Sequence, residues 1–330
     1  MARFPNCFLT ILLAAVHLLL PVSALAVNVN TDAIVLTPTR VSEHVYYFHG
    51  QSGMSSAANK GFMSNAGFVV TGDGVIVFDS LGTPVLGEAM LTAIRKVTPK
   101  PVKRVIVSHY HADHIYGLQA FHAKGIEIWA NENGQAYLHS DIAQQRLAER
   151  RVSLHQWVND ATHLIPADRW LSFKTGKTIP FESGGMHFRI IDSSGAHSPE
   201  DIMLYVEEDR VLFAGDLYFT GRIPFVGNAD SKAWLAAMDR MLEVQPVTVI
   251  PGHGAASDKP QQDMQLTRNY LLFLREKMGK AVSDMTSFED AYKSVDWTPF
   301  KKYPAFEQAN RLNAYGTYML MEQESLHPQH

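Results

Sequence analysis

The sequence predicts an α/β layered fold, and three observations carry that prediction. Short runs rich in β-branched and aromatic residues, bounded by turn residues, recur from Val41 onward. Stretches with helical apolar spacing are interleaved with them, and 46% of the 330 residues are hydrophobic, enough to bury one large core or two ordinary ones. With 22 glycines, 16 prolines and a single cysteine, the chain is neither collagenous nor disordered nor stapled by disulfides.

Taken in order, residues 43–48 read as a strand, 67–70 as a second, and 74–79 as a third after the Gly72-Asp73-Gly74 turn, so the fold opens as a β-meander. Between the first two strands lies the segment 50–63, rich in Gly, Ser, Ala and Asn, which reads as a mobile loop. A helix over 84–97, with Val85, Met90, Ile94 and Val97 on related faces, precedes a buried strand at 102–107. Residues 115–123 read as one helix, 126–129 as a strand, and 133–159 as largely helical and polar. Strand character returns at 186–191, 202–206 and 211–214, followed by a helix at 232–242 and a strand at 247–250. Beyond Ser257 the pattern turns helical: Leu266, Tyr270, Phe273 and Leu274 share a face, and Thr286 with Glu289 reads as a capping box.

The amino terminus is expected to be a secretory signal over 1–26. Arg3 supplies a positive start, 8–20 is mostly apolar but short of the roughly 20 residues a spanning helix needs, and Ala24-Leu25-Ala26 has the small-x-small pattern of a cleavage site. The expected organisation is therefore a signal at 1–26, a main domain at 27–256 and a helical extension at 257–330, in a periplasmic or secreted protein without stable membrane insertion. Cys7 lies in the signal, so the mature chain has no thiol to serve as nucleophile or metal ligand. Lys and Arg total 29 against 33 Asp and Glu, a net charge of −4, so no global positive field is available to hold a nucleic-acid backbone. The expected partner is a small-molecule substrate; the oligomeric state is left open.

Histidine carries the most specific signal. In Ser108-His109-Tyr110-His111-Ala112-Asp113-His114, directly after the 102–107 strand, His109 and His111 are two apart in extended backbone and point the same way. Asp113 and His114 begin the next helix, where the change of backbone direction can turn a carboxylate and a third imidazole toward a second cation. Such a cluster of imidazoles and a carboxylate needs a cation or many hydrogen bonds if it is buried. Three more candidates follow predicted strands: His197 before Ser198-Pro199, Asp216 after Gly215, and His253 between Gly252 and Gly254. Singly, His197 also reads as a turn residue, Asp216 as a helix N-cap and His253 as a loop histidine; jointly with the His109 to His114 cluster they read as ligands. His44, His49, His122, His139, His155, His163, His187, His327 and His330 show no ligand-like spacing.

This order, His-x-His-x-Asp-His, then a lone His before Ser-Pro, then Gly-Asp, then Gly-His-Gly, resembles the metallo-β-lactamase superfamily over about residues 40 to 255. The resemblance implies a four-layer αββα sandwich, here with a C-terminal helical extension, and a site at one edge between two sheets. It implies that His109, His111 and His197 hold one zinc and Asp113, His114 and His253 a second, with Asp216 bridging them and Asp113 also serving in catalysis. Asp79, otherwise a turn aspartate, matches a carboxylate that supports the metal-binding loop. Two such cations, about 3.5 to 4 Å apart, can share a water and bring its pKa toward about 7. With only nitrogen and oxygen donors the site suits two Zn²⁺, and Fe or Mn fits it as well.

The implied activity is that of an exported dinuclear zinc hydrolase, attacking a lactone, thioester, ester or β-lactam with a metal-bridging hydroxide. The ligand set is similar to that of glyoxalase II and the lactonases, although the tail after Ser257 shows no clear match to the glutathione-binding pattern of glyoxalase II. The stretch from Gly215 to Ser231 is similar to that of the SoxH-like or quinoprotein-relay zinc metallohydrolases. Within it, Tyr218 and Arg222 offer a phenol and a cation to a substrate anion, or a packed ring and a rim ion pair. The 50–63 loop is expected to fold over the substrate, with Met54 and Met63 either as an adaptable apolar cover or in ordinary packing. Two other readings stand beside this one: a mononuclear iron enzyme resembling the persulfide dioxygenases, and a non-catalytic periplasmic protein binding a metal or a quinone cofactor.

Overall fold

The computed structural model describes residues 34–173 and 177–327. The expected signal at 1–26 and His330 lie outside the described residues, and no described helix is long and apolar enough to cross a membrane. The first sheet is built in chain order from β1 (Thr39–Arg40), β2 (Val45–Phe48), β3 (Ala66–Val70), β4 (Val75–Phe78), β5 (Val102–Ile106), β6 (Glu127–Asn131) and β7 (Arg169–Leu171). Pairing is antiparallel up to β4 and parallel from β4 to β7. The second sheet runs β8 (Thr178–Ser183), β9 (Met186–Asp192), β10 (Ile202–Val206), β11 (Val211–Phe213) and β12 (Thr248–Ile250), antiparallel except for the last pair.

The two sheets pack face to face because alternate residues of each are apolar. Val45, Val69, Ile76, Phe78 and Ile106 from the first meet Phe188, Ile190, Leu204, Phe213 and Ile250 from the second. The opposite face of the first sheet is covered by α1 (Pro84–Val97), α2 (Ala112–Ile115), α3 (Leu118–His122), α4 (Gly134–Leu138) and α5 (Asp141–Ser153). Thr83 caps α1, with its hydroxyl accepting from the Leu86 N–H and Pro84 in the first turn, and Leu86, Met90 and Ile94 bury its inner stripe. The outer face of the second sheet carries α6 (Ser231–Glu243), α7 (Pro260–Asp263), α8 (Gln265–Ser283), α9 (Phe288–Ser294), α10 (Thr298–Lys301) and α11 (Phe306–Leu326). The result is the αββα sandwich that the resemblance implies, with a C-terminal helical extension.

Several elements differ from the sequence reading. The helix expected at 115–123 is two short ones, parted at Tyr116 and Gly117, because the Gly117 N–H turns to the Leu81 carbonyl and a Cβ there would lie 1.8 Å from the Ser80 carbonyl oxygen. The capping box is shifted by one residue: Ser287, not Thr286, caps α9 and pairs with Asp290. Strands β1, β7 and β8 carry no strong β signal; the burial of β8 alternates between exposed and half-buried, as befits an edge. The loop 50–63 forms no strand and is tied at several points, including Trp157 Nε1 to the Ala57 carbonyl and the Gln51 N–H to the Phe62 carbonyl.

The C-terminal helices do more than cover the sheet. α8 and α11 enclose a polar network in which Tyr270 Oη donates to Asn310 Oδ1 at 2.8 Å, and Asn313 Nδ2 donates to Tyr270 Oη at 3.1 Å and to the Pro224 carbonyl at 2.8 Å. Asn313 Oδ1 accepts from the Val226 N–H at 2.8 Å, so α11 grips the loop that follows β11. Gly316 lets the helix approach: a Cβ there would lie 1.7 Å from the Gly227 carbonyl oxygen. Replacing Gly316 with Ala must part helix and loop, at an expected cost of about 1–3 kcal/mol from overpacking. Chemical denaturation should show a lower midpoint at an unchanged m value; a wild-type midpoint would contradict this contact.

Candidate metal centre

Five of the seven candidate ligands, with Asp79 beside them, stand beyond strand ends at one edge of the sandwich. β4 runs out into Asp79, β5 into His109 and His111, β9 into the turn bearing His197, β11 into Asp216 and β12 into His253. The two sheets are joined at this edge, where the Ile202 N–H donates to the Ser108 carbonyl at 3.0 Å. Asp113 and His114 lie in the first turn of α2, the backbone turning at His111, as the motif predicts.

The structure brings all seven candidates together in two groups. His109, His111, His197 and Asp216 form one, and Asp113, His114 and His253 the other, with the ligand-type atoms of each group within 4.8 Å of one another. Asp216 faces both. Its Oδ2 lies 3.5 Å from His197 Nε2 and 3.9 Å from His109 Nε2, while its Oδ1 lies 3.1 Å from His114 Nε2 and 3.3 Å from His253 Nε2. Asp113 Oδ2 closes the second group, 3.3 Å from His253 Nε2 and 3.6 Å from His114 Nε2. His111 and Asp113 are the two partly exposed members, so the mouth of the site lies beside them.

The donor set fits divalent cations. His109 Nε2, His114 Nε2, His253 Nε2 and Asp216 Oδ1 are buried and make no hydrogen bond, although they crowd together. His197 Nε2 and His111 Nδ1 lie 3.0 Å apart in a hydrogen bond, but the four unbonded atoms converge on common points without bonding each other, which a folded protein tolerates only where something else satisfies them.

The far sides of the imidazoles are held by hydrogen bonds. His114 Nδ1 donates to Asp79 Oδ2 at 2.9 Å. Ser108 Oγ also donates to Asp79 Oδ2, at 2.8 Å, so it accepts from His109 Nδ1 at 2.9 Å, and the Ser108 N–H donates to Asp79 Oδ1 at 2.7 Å. One carboxylate therefore sets the tautomer of a histidine in each group, leaving Nε2 free as the ligand atom. Asp79 reaches this position with φ at +62°, a left-handed conformation that aspartate tolerates better than bulkier residues. His253 Nδ1 donates to the Met63 carbonyl at 2.9 Å, and the ring of His197 packs against Trp234 with centroids 4.9 Å apart.

Burial pushes His109 well below the ordinary imidazole value, with His114 and His111 adding to the effect, and it lowers His111 too. His197 is pushed down to about 3, again mainly by burial. These three are neutral at pH 7, with a lone pair to give. Burial also opposes charge on His114 and His253, but Asp216 and Asp113 outweigh it and both imidazoles titrate above their usual value. Burial likewise works against ionisation of Asp113 and Asp216, yet the facing imidazoles hold both carboxyls below the usual range.

The close fit of His253 on Asp216 explains the glycines around it. A Cβ on Gly252 would fall 2.0 Å from Asp216 Oδ1, and Gly254 has φ at +95°. Other supports were not visible in the motif. Asn65 Nδ2 donates to the Pro251 and Gly254 carbonyls at 2.8 Å each, clasping the His253 loop, and Ser64 Oγ donates to the Asp113 carbonyl at 2.5 Å. Glu200 and Asp201 brace the same edge, accepting from the Tyr110 N–H at 2.9 Å and the Ser198 N–H at 2.6 Å.

The remaining candidates divide. Tyr218 is enclosed in the apolar cluster under α6 and α8, so it is a packed ring. Arg222 is buried rather than part of a rim ion pair, under the carbonyl of Gly53. Met63 is buried and Met54 exposed. His44 and His187, given no ligand role, pair with Asp209 and Glu208.

Comparison with known proteins bears on the same residues. The chain is 21% identical over 241 residues, 62% of its length, to the linear primary-alkylsulfatase of Pseudomonas sp. (strain ATCC 19151), of which it covers 44%. Over 228 residues, 67% of the chain, it is 24% identical to the metallo-beta-lactamase IND-1 of Chryseobacterium indologenes, covering 82% of that protein. The solved stereoselective inverting sec-alkylsulfatase Pisa1 from Pseudomonas sp. shares the fold with a TM-score of 0.68 at 16% identity, over 86% of this chain and 50% of its own. The chain thus spans about half the length of these alkylsulfatases. The profile of the metallo-beta-lactamase superfamily matches residues 59–253, more than half of the chain, from within the 50–63 loop to the last candidate ligand. The chain belongs to the metallo-β-lactamase superfamily.

Proposed function

We propose that the protein is an exported, dinuclear zinc-dependent hydrolase of small ester-like substrates: lactones, thioesters, esters or β-lactams. The observation that carries this reading is the pair of donor groups sharing Asp216, with no sulfur among their atoms. His109, His111 and His197 would hold one cation and Asp113, His114 and His253 the other, with one oxygen of Asp216 turned to each. When bound, the cations would make a nucleophile from water at neutral pH and polarise the carbonyl or equivalent oxygen of the substrate, leaving the atom bonded to it more electrophilic.

The chain's own residues supply orientation and proton handling. Asp79 and Ser108 fix His109 and His114, so their Nε2 atoms need no reorganisation. Asp113, partly exposed at the mouth, would hold a cation through Oδ2, and its second carboxylate oxygen would accept a hydrogen bond from the attacking water and relay the proton toward the leaving group. The dry floor formed by Phe219 and Trp234 keeps bulk water from the imidazoles of His253 and His197. A single-iron oxidoreductase would use one donor group and leave the nitrogens of the other buried without a partner, which favours the dinuclear reading. The alkylsulfatase relatives add sulfate esters to the ester class worth testing. Export rests on the N-terminal segment 1–26, whose composition suits a cleaved signal.

Purified mature protein is expected to bind about two zinc ions, one for each donor group, and to hydrolyse at least one of these substrate classes. His111→Ala should abolish turnover while leaving the circular dichroism spectrum nearly unchanged. Unaltered turnover in that variant, or a full metal complement with no hydrolysis of any class, overturns the reading. Asp79→Asn should weaken binding of both metals roughly 10- to 100-fold in competition with a chromophoric chelator, because a histidine of each group depends on that carboxylate. Loss confined to one metal would show that the two groups are oriented independently.

A further inference from the structure

Asn65 is 3% exposed and joins two parts of the molecule that lie far apart in sequence. Its Oδ1 accepts from the Gly50 N–H at 2.9 Å, while its Nδ2 donates to the Pro251 and Gly254 carbonyls. Its own N–H donates to the Gly252 carbonyl at 2.6 Å. The first bond grips one stem of the 50–63 loop, and the other three grip the turn that carries His253. Both amide hydrogens and the amide oxygen are used, so the side chain has one orientation: a flip would set oxygen against two carbonyls.

The other stem of the loop reaches the same donor group through the neighbours of Asn65. The Met63 carbonyl accepts from His253 Nδ1 at 2.9 Å, and Ser64 Oγ donates to the Asp113 carbonyl at 2.5 Å. The stems also touch each other. The Gln51 N–H donates to the Phe62 carbonyl at 3.0 Å, and a Cβ on Gly50 would lie 2.5 Å from the Met63 carbonyl oxygen. The loop therefore leaves and re-enters the body of the protein at one point, in contact with Asp113 and His253. None of these bonds goes to His109, His111 or His197. Away from the stems the loop is held by scattered bonds, from Trp157 to Ala57, Thr83 to Lys60 and Arg222 to Gly53. Lifting the stems would free the far nitrogen of His253, and an imidazole unheld on its far side is a poorer ligand. A cation that fixes His253 and Asp113 in turn fixes the surface on which the stems lie.

We propose that Asn65 is a positioning residue that couples the seating of the 50–63 loop to occupancy of one donor group only, that of Asp113, His114 and His253. Linkage makes the coupling reciprocal: the factor by which a seated loop raises the affinity of this group for its cation is the factor by which the cation favours the seated loop. The loop beside Asp113, at the mouth, is then fully seated only in the protein that holds both cations. The proposal rests on the dinuclear hydrolytic reading, yet neither measurement that tests it uses turnover.

Zinc is titrated into the metal-free full chain against a chromophoric chelator in two backgrounds: His111→Ala, which disables the first group, and His253→Ala, which disables the second. Asn65→Ala should weaken the remaining zinc roughly 10- to 100-fold in the His111→Ala chain and less than about twofold in the His253→Ala chain. Equal loss in both would make Asn65 a general support of the edge and overturns the assignment. So does unchanged affinity in the His111→Ala chain, or a failure of that chain to take up zinc. Hydrogen exchange read by mass spectrometry supplies the second measurement. Zinc should slow exchange of the amides over 51–62 roughly 10-fold in the wild-type chain, and Asn65→Ala should remove most of that difference. Exchange in this segment that ignores zinc overturns the coupling. If Asn65→Ala does not fold, Ser64→Ala decides, since it removes only the hydroxyl on the Asp113 carbonyl. It should weaken zinc roughly 3- to 10-fold in the His111→Ala chain alone, and unaltered affinity there would sink the proposal. A chain that shows both effects but hydrolyses nothing would end the hydrolytic reading and leave the coupling standing.

Discussion

The carboxylate of Asp79 holds together an arrangement that would otherwise fly apart. Imidazoles and carboxylates crowd into a buried edge where, apart from a contact between His111 Nδ1 and His197 Nε2, their ligand atoms make no hydrogen bond to one another, and what keeps those atoms converging is the set of bonds on their far sides. Asp79 accepts from Ser108 twice and from His114 once, and through the Ser108 hydroxyl it also aligns His109. It does so from a backbone conformation uncommon for a residue with a side chain, at the point where β4 leaves the sheet. Strand position, local strain and imidazole tautomer are here one problem with one solution.

That solution depends on both halves of the sandwich. The first sheet delivers His109, His111, Asp113 and His114; the second delivers His197, Asp216 and His253. The distances across Asp216 are therefore set by how the two apolar faces pack, and by small clasps at the edge such as Asn65 on the His253 loop. The C-terminal helices take part too. Through Asn313 and Gly316 they fix the loop beyond Asp216, so the extension helps to shape the space in front of the donor groups.

The two donor groups were legible in the sequence because metal chemistry demands particular residue types at spacings set by a strand and the first turn of a helix. Glycines beside His253 and Asp216 were legible for a related reason, since close approach leaves no room for a Cβ. The supports were not. Asn65, Ser64 and Ser108 are ordinary polar residues whose meaning comes from partners far away in sequence; Asn65 and Pro251 are 186 positions apart. Arg222 could be singled out by its place after Asp216, but its burial under the Gly53 carbonyl depends on packing from the 50–63 loop. The misplaced helix cap has a simpler cause: Thr286 and Ser287 each have an acid three residues on, and only tertiary packing chooses between them. The strands β7 and β8 escaped notice because edge strands need little hydrophobic patterning.

One consequence follows from donors drawn from two sheets. Outside its first 26 residues the chain has no cysteine, so no covalent tie can fasten one layer to the other. A cation held by His109 and His197, or by His114 and His253, would bridge segments nearly 90 and 140 residues apart in the chain and restrain the unfolded ensemble as a cross-link does. Because it binds only the assembled sandwich, its contribution grows with the logarithm of free metal over its dissociation constant, about 4 kcal/mol at a thousandfold excess. Resistance to heat and proteases would then track the metal supply of the surroundings, making the cofactor a structural staple as well as a reagent.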